Sequence, residues 1–199
     1  MLFEHLGARP RIDPTAVIAE TAVISGDVEI GPDCQVLHGA VITAEGGPIT
    51  LAACVIVMEN AVIRATSADP VHIGDHTLIG PGATVSGAVI GSEVFLATGT
   101  RVFNGARIGD RCEVRIGAIV HLRTTLPPET VVPIAWIAVG HPLGLYPPDR
   151  HDEIWAAQKE LDFPGYVFGL DRATPDLMVQ LTERYGRSLS RHRQDRRVD

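Results

Sequence analysis

The side chains of this 199-residue chain that could do chemistry are sparse and dispersed. His72 and His76 share one short segment, while His38, His121 and His141 lie far from them and from one another. A catalytic zinc site needs three ligands converging on one point with a fourth position left open. No spacing among these five histidines predicts that convergence, so each reads as a surface or interface side chain. His38, His121 and His141 stay open as weak candidates for a general base. Cys54 near Glu59 offers two groups of a mixed ligand set without an evident third. Cys34, Cys54 and Cys112 form neither a CxxC pair nor a disulfide framework, and read as small buried or half-buried side chains of a reducing compartment.

The bulk properties narrow the partners. Seventeen Lys and Arg stand against 24 Asp and Glu, a formal charge of -7, which gives no long-range pull toward nucleic acid or an acidic membrane surface. Only the C-terminal stretch is basic, with Arg187, Arg191, Arg193, Arg196 and Arg197 reading as a solvated, frayed end. The apolar run in MLFEHLGARPR is too short for a signal peptide, and no run approaches membrane-spanning length. A cytoplasmic protein is the expectation.

What must position any site is a repeat. Ile12, Ile18, Ile24, Ile30, Val36 and Ile42 recur every six residues, and the series resumes at Leu51, Val57 and Ile63, at Ile73, Ile79 and Val85, and at Ile90, Leu96, Val102, Ile108, Val114 and Val120. Neither an α-helix nor an alternating strand has this period. Short strands with one inward side chain, turning a corner after each row and stacking on their neighbours, do have it. The prediction is an all-β solenoid, a left-handed parallel β-helix over residues 11-142, with the register weakening after Val120. Gly31, Gly74, Gly80, Gly91 and Gly109 follow row positions and suit crowded turns through their dihedral freedom. Stacking at roughly 4.8 Å per coil leaves Cys34 and Cys112 about 19 Å apart, too far to pair.

Two long steps, Ile42 to Leu51 and Ile63 to Ile73, make room for corner loops at residues 44–48 and 66–70, so special chemistry is expected near the second to fourth coils. Thr43, Arg64 and Ser86 take the same offset in successive coils and predict one outward column, with Glu59 and Pro81 an analogous pair. Residues 143-199 read as a proline-rich linker and a helical segment with the basic tail. His151 to Leu161 predicts one helix, Phe163-Pro164-Gly165 a stop, and Thr174-Pro175 the start of a second with Leu177, Leu181 and Tyr185 as its packing face.

The rows resemble the bacterial transferase hexapeptide superfamily. Residues 11 to 142 are more narrowly similar to the gamma-class carbonic anhydrases and their relatives, through Gly26-Asp27-Val28 with Ile30-Gly31, HGAVITAEGGPITLAACVIVMENAVIR, PVHIGDHTLIGPGATVSGAVIG and the closing Gly140-His141-Pro142. The resemblance implies a homotrimer of left-handed β-helices, a C-terminal helix packed alongside, and a divalent metal between neighbouring subunits. It also places the family's metal histidines on Arg64, Pro81 and Ser86. The arginine and aspartate of the family's RGD segment fall on Thr43 and Glu45. The asparagine and glutamine that orient water fall on Ile56 and Met58, and the acidic residue after them on Glu59. No metal and no cofactor is therefore expected, and without the metal the hydroxide nucleophile lacks its generator. The expectation is a metal-free gamma-carbonic-anhydrase-like protein that is structural or binds a small anionic metabolite, with Thr43, Glu45, Glu59, Arg64 and Ser86 forming an interface or pocket. A coenzyme A-dependent acyltransferase, and an anhydrase or hydrolase with a non-standard site, are the alternatives.

Overall fold

The structure, a computed structural model, describes residues 1–199. The six-residue rows become three parallel sheets that wrap one core. The first face carries Arg11–Ile12, Val28–Ile30, Ile49–Leu51, Val71–Ile73, Val89–Ile90, Arg107–Ile108 and Thr125–Leu126. The second carries Val17–Ile18, Gln35–Val36, Ile56–Val57, Leu78–Ile79, Phe95–Leu96, Glu113–Val114 and Val131–Val132. The third runs from Leu2–Glu4 through Val23–Ser25, Val41–Glu45, Val62–Thr66, Thr84–Ser86, Arg101–Val102 and Ile119–Val120 to Ile137–Val139. The molecule is a left-handed parallel β-helix with C-terminal α-helices.

Strand pairing puts every row residue directly over its counterpart. On the third face Ile24, Ile42, Ile63, Val85, Val102, Val120 and Ala138 form one inward column. All seven are buried, as are the corresponding residues of the other two faces apart from Ile12 and Ile18 in the first coil. Such burial contributes ~25 cal/mol per Å² of apolar surface, and only stacking can supply it, because a single coil has no inside. Small side chains fill the corners two residues earlier. Cys34 and Cys112 sit there, each thiol donating to a backbone carbonyl, of Ala52 at 2.9 Å and of Pro127 at 3.1 Å. Burial pushes both thiols up, which keeps them protonated and unreactive.

Two expectations need correction here. The register does not weaken after Val120: Leu126, Val132 and Ala138 continue the inward rows, fully or almost fully buried. Pro127 and Pro128 fall in the corner after Leu126, where a missing N–H breaks no ladder bond. The glycines after row positions are crowded, as expected, but not for their dihedral freedom. A Cβ on Gly80 would lie 2.7 Å from the backbone of the next coil, whereas the left-handed backbone occurs elsewhere in the corner, at Gly82 or, in other coils, at Asp33, Asn60 and His76.

The two long steps extend strands Val41–Glu45 and Val62–Thr66, which pair over five residues and carry the third face past its corner. After Val139 the chain turns back as Gly144–Tyr146, antiparallel to the last coil. It then forms α1 (His151–Gln158), α2 (Phe163–Phe168) and α3 (Leu177–Leu189). Phe163-Pro164-Gly165 starts a helix instead of stopping one: the Asp162 carboxylate accepts from the Gly165 N–H at 3.3 Å, and proline suits the first turn. α3 begins at Leu177 after Asp176 in left-handed conformation, two residues beyond the predicted Pro175 start. Leu177, Leu181 and Tyr185 are its half-buried stripe. The basic tail does not fray, because Arg196–Arg197 pairs antiparallel with Leu2–Glu4. No helix is long and apolar enough to cross a membrane.

Candidate functional site

The predicted outward column forms: Arg64 pairs in register with Thr43 on one side and Ser86 on the other. Parallel pairing sets these three side chains about 4.8 Å apart on one surface. The Arg64 guanidinium lies 3.7 Å from the Glu45 carboxylate and over the Tyr185 ring of α3, 5.5 Å from its centroid. Glu45 belongs to the neighbouring column, opposite Thr66, and reaches Arg64 because its strand overshoots the corner. Glu59 and Pro81 stand apart from this group, at the corner after the second face, where the Glu59 carbonyl accepts from Gly82. The Glu59 side chain is exposed.

Glu45 has a second partner that the sequence did not reveal. Its oxygens lie 3.0 and 3.1 Å from His192 Nε2, in the short 3₁₀ turn Ser190–Gln194. His192 Nδ1 faces Asp195 at 2.8 Å, and the other Asp195 oxygen faces Nδ1 of the buried His5 at 2.6 Å. The two imidazoles stack with centroids 4.4 Å apart. The hydrogen bond to Asp195, with Glu45 adding its charge, raises the His192 pKa against the cost of burial. Burial pushes the Asp195 carboxyl the other way, but hydrogen bonds from His192 and His5 hold it below its ordinary value. A local signal exists in the i, i+3 spacing of His192 and Asp195; nothing in the sequence links either to His5.

An aromatic chain fastens the helices to the third face: His121 stacks on Phe103, Phe103 meets Phe163, Phe163 meets Phe168, and Phe168 meets Tyr185. His121 is half-buried, its Nδ1 has no partner, and burial lowers its pKa. At the corner between third and first faces lies a cavity of about 490 Å³, lined among others by Arg107, Arg123, His141, Tyr166 and Asp69. Tyr166 donates to Asp69 at 2.6 Å, and Asn104 donates to the other Asp69 oxygen at 3.3 Å. Burial and that bond push the Tyr166 hydroxyl up to about 12. Asp69 is thus engaged, while Arg107 and Arg123 have no carboxylate partner within salt-bridge distance. His38, His72 and His76 are exposed and separate; His38 pairs only with Thr21, at 2.9 Å.

The outward columns differ by face. The first shows Arg11, Glu29, Thr50, His72, Val89, Arg107 and Thr125. The second shows Val17, Gln35, Ile56, Leu78, Phe95, Glu113 and Val131, an apolar stripe in its middle.

No family model matches the chain. Among curated proteins, it is 25% identical over 124 residues to gamma carbonic anhydrase 1, mitochondrial, of Arabidopsis thaliana, covering 59% of this chain and 45% of that protein. It is 24% identical over 110 residues to a carbonic anhydrase of Geobacillus kaustophilus, covering 55% and 60%. It is 35% identical over 143 residues to the carboxysome assembly protein CcmM of Synechocystis, covering 65% of this chain but 20% of that one. The chain therefore spans less than two thirds of each of these relatives. Among solved structures, a hexapeptide transferase family protein from Anaplasma phagocytophilum superposes with a TM-score of 0.59 at 24% identity, over 81% of this chain and 92% of that one. The fold is a left-handed β-helix built from six-residue rows, and in sequence the chain is similar to the gamma carbonic anhydrases.

Proposed function

We propose that this chain is a non-anhydrase member of the gamma-carbonic-anhydrase-like group, a structural and small-anion-binding component with no metal at the position its relatives use. The observation that carries the reading is Arg64. If the family's metal histidines fall on Arg64, Pro81 and Ser86, the donors there are a guanidinium, a proline ring and a hydroxyl, none able to act as an imidazole ligand. The guanidinium is held in place by Glu45 and Tyr185, and its permanent charge would repel a divalent ion. The test is stopped-flow assay of the purified chain with excess zinc, cobalt or iron. No hydration of carbon dioxide above background is expected; hydration that disappears in Ser86→Ala would overturn the reading.

The binding half rests on the corner cavity, where two arginines and His141 offer donors to a carboxylate or phosphate. Calorimetric titration with inorganic phosphate and with coenzyme A should show binding that weakens in Arg107→Gln and Arg123→Gln. Thiol release from acetyl-coenzyme A that is lost in His141→Ala would instead favour the acyltransferase alternative. The homotrimer belongs to the same reading. Its support is the apolar stripe Ile56, Leu78 and Phe95, which no part of this chain's helical segment is paired with. Light scattering of the dilute protein should report three chains, and a monomer would remove this part of the proposal.

A further inference from the structure

The geometry points to a divalent-metal site of the zinc type where the C-terminal tail meets the first coil, held by His5, His192 and Asp195 with Glu45 behind His192. One ligand atom from each of the three residues lies within 4.8 Å of the others. Zinc at about 2.0–2.1 Å from nitrogen and oxygen ligands sets those ligands about 3.3 Å from one another. The observed contacts, 2.6 Å from His5 Nδ1 to one Asp195 oxygen and 2.8 Å from His192 Nδ1 to the other, need to open by about 0.5–0.7 Å to reach that spacing, with the stacked rings turned so that both nitrogens face one point.

Hydrogen-bond accounting calls for positive charge on or beside His192, whose two ring nitrogens both face carboxylates. A neutral imidazole has one donor and one acceptor nitrogen. If His192 gives its Nε2–H to Glu45, its Nδ1 turns a lone pair toward an Asp195 oxygen, leaving two acceptors face to face. A second ring proton resolves that conflict, and a bound metal would resolve it in that proton's place. The Glu45–His192 contact then has the form of a carboxylate that orients a metal-bound histidine through its far nitrogen. The donors come from three distant stretches of chain: His5 follows strand Leu2–Glu4, Glu45 ends a strand two coils further on, and His192 lies within, and Asp195 directly after, the turn before Arg196–Arg197. The ion would therefore staple the tail to the solenoid. It is distinct from the Arg64 column, which touches it only through Glu45.

The experiment uses the full chain, stripped by chelator and free of any affinity tag, titrated with zinc by calorimetry and with cobalt by visible absorption. One ion per chain is expected, with ligand-field bands of a nitrogen- and oxygen-bound cobalt and slower hydrogen exchange at Arg196 and Arg197. His192→Gln, at a position that is one third exposed, should keep the fold and abolish stoichiometric binding. Glu45→Gln should weaken it 10–100-fold, as loss of an outer carboxylate partner does. Ser86→Ala should change nothing. No stoichiometric binding by the parent chain, binding that survives His192→Gln, or binding lost in Ser86→Ala would each overturn the proposal. None of these outcomes depends on the carbon dioxide assay.

Discussion

The second and third faces share one backbone register yet meet their surroundings in different ways. On the third face the outward residues are polar at Thr43, Arg64 and Ser86, and the chain's own helices and tail cover them with a line of aromatic rings and a histidine–carboxylate cluster. On the second face the outward residues Ile56, Leu78 and Phe95 are apolar, and Phe95 is left 44% exposed. The inward rows are interchangeable between faces; the outward column decides what each face accepts. A β-helix in this sense separates folding from recognition residue by residue, since adjacent side chains on a strand point to opposite sides.

The sharpest way to break that separation is to compare neighbours. Ile63 points inward and is fully buried, while Arg64, the next residue, points outward. Ile63→Ala should destabilise the chain by about 2–5 kcal/mol in denaturant unfolding, the range for a buried isoleucine that leaves a cavity. Arg64→Met should cost about 1 kcal/mol at most. The guanidinium is 33% exposed and 3.7 Å from Glu45, which puts the pair close to the surface class instead of the buried one. A loss in Arg64→Met as large as that in Ile63→Ala would show that the outward column also carries the fold.

Between these two lies the second face. Leu78→Glu combined with Phe95→Glu should leave monomer stability within about 1 kcal/mol, because neither side chain is in the core, while dissociating the proposed trimer in light scattering. An unchanged mass would mean that the apolar stripe is not what joins the subunits.

The smallest effect concerns His121 beneath the aromatic chain. Burial lowers its folded pKa below the ordinary 6.5. The unfolded chain therefore takes up the proton first, so the contribution is intact above about pH 6.5 and is lost as pH falls from there through the folded value. His121→Phe, which keeps a ring against Phe103, should flatten that limb of the stability profile. An identical acid slope in parent and variant would place the titration elsewhere.

The core was legible in the sequence because it is periodic. Each of Ile24, Ile42 and Ile63 declares its neighbour by spacing alone, and the same phasing puts Thr43, Arg64 and Ser86 in one column. Where periodicity stops, legibility stops with it. Leu126-Pro127-Pro128 looked like a loss of register because prolines usually break strands, whereas here they fall in a corner. The Arg64–Glu45 contact was within reach of the row arithmetic, since both residues flank the long steps. The approach of His192 and Asp195 to His5 was not. It depends on where an irregular helical segment ends after traversing the third face, and no short-range rule fixes that landing point. The corner cavity escaped for the same reason, because Tyr166 enters it from α2.

A stack of like coils is an open one-dimensional array, whose end units have a single neighbour and so unzip before the middle does. Here the strand Gly144–Tyr146 caps one end of the third face and Arg196–Arg197 caps the other, and both belong to the same continuous segment. The array is thereby closed into a ring of dependencies. Fraying the first coil must also release the segment anchored at the last. Unfolding should accordingly be more concerted than in a linear array, and on the third face each end finishes in a short antiparallel strand instead of a bare coil edge on which another molecule's coils could polymerise.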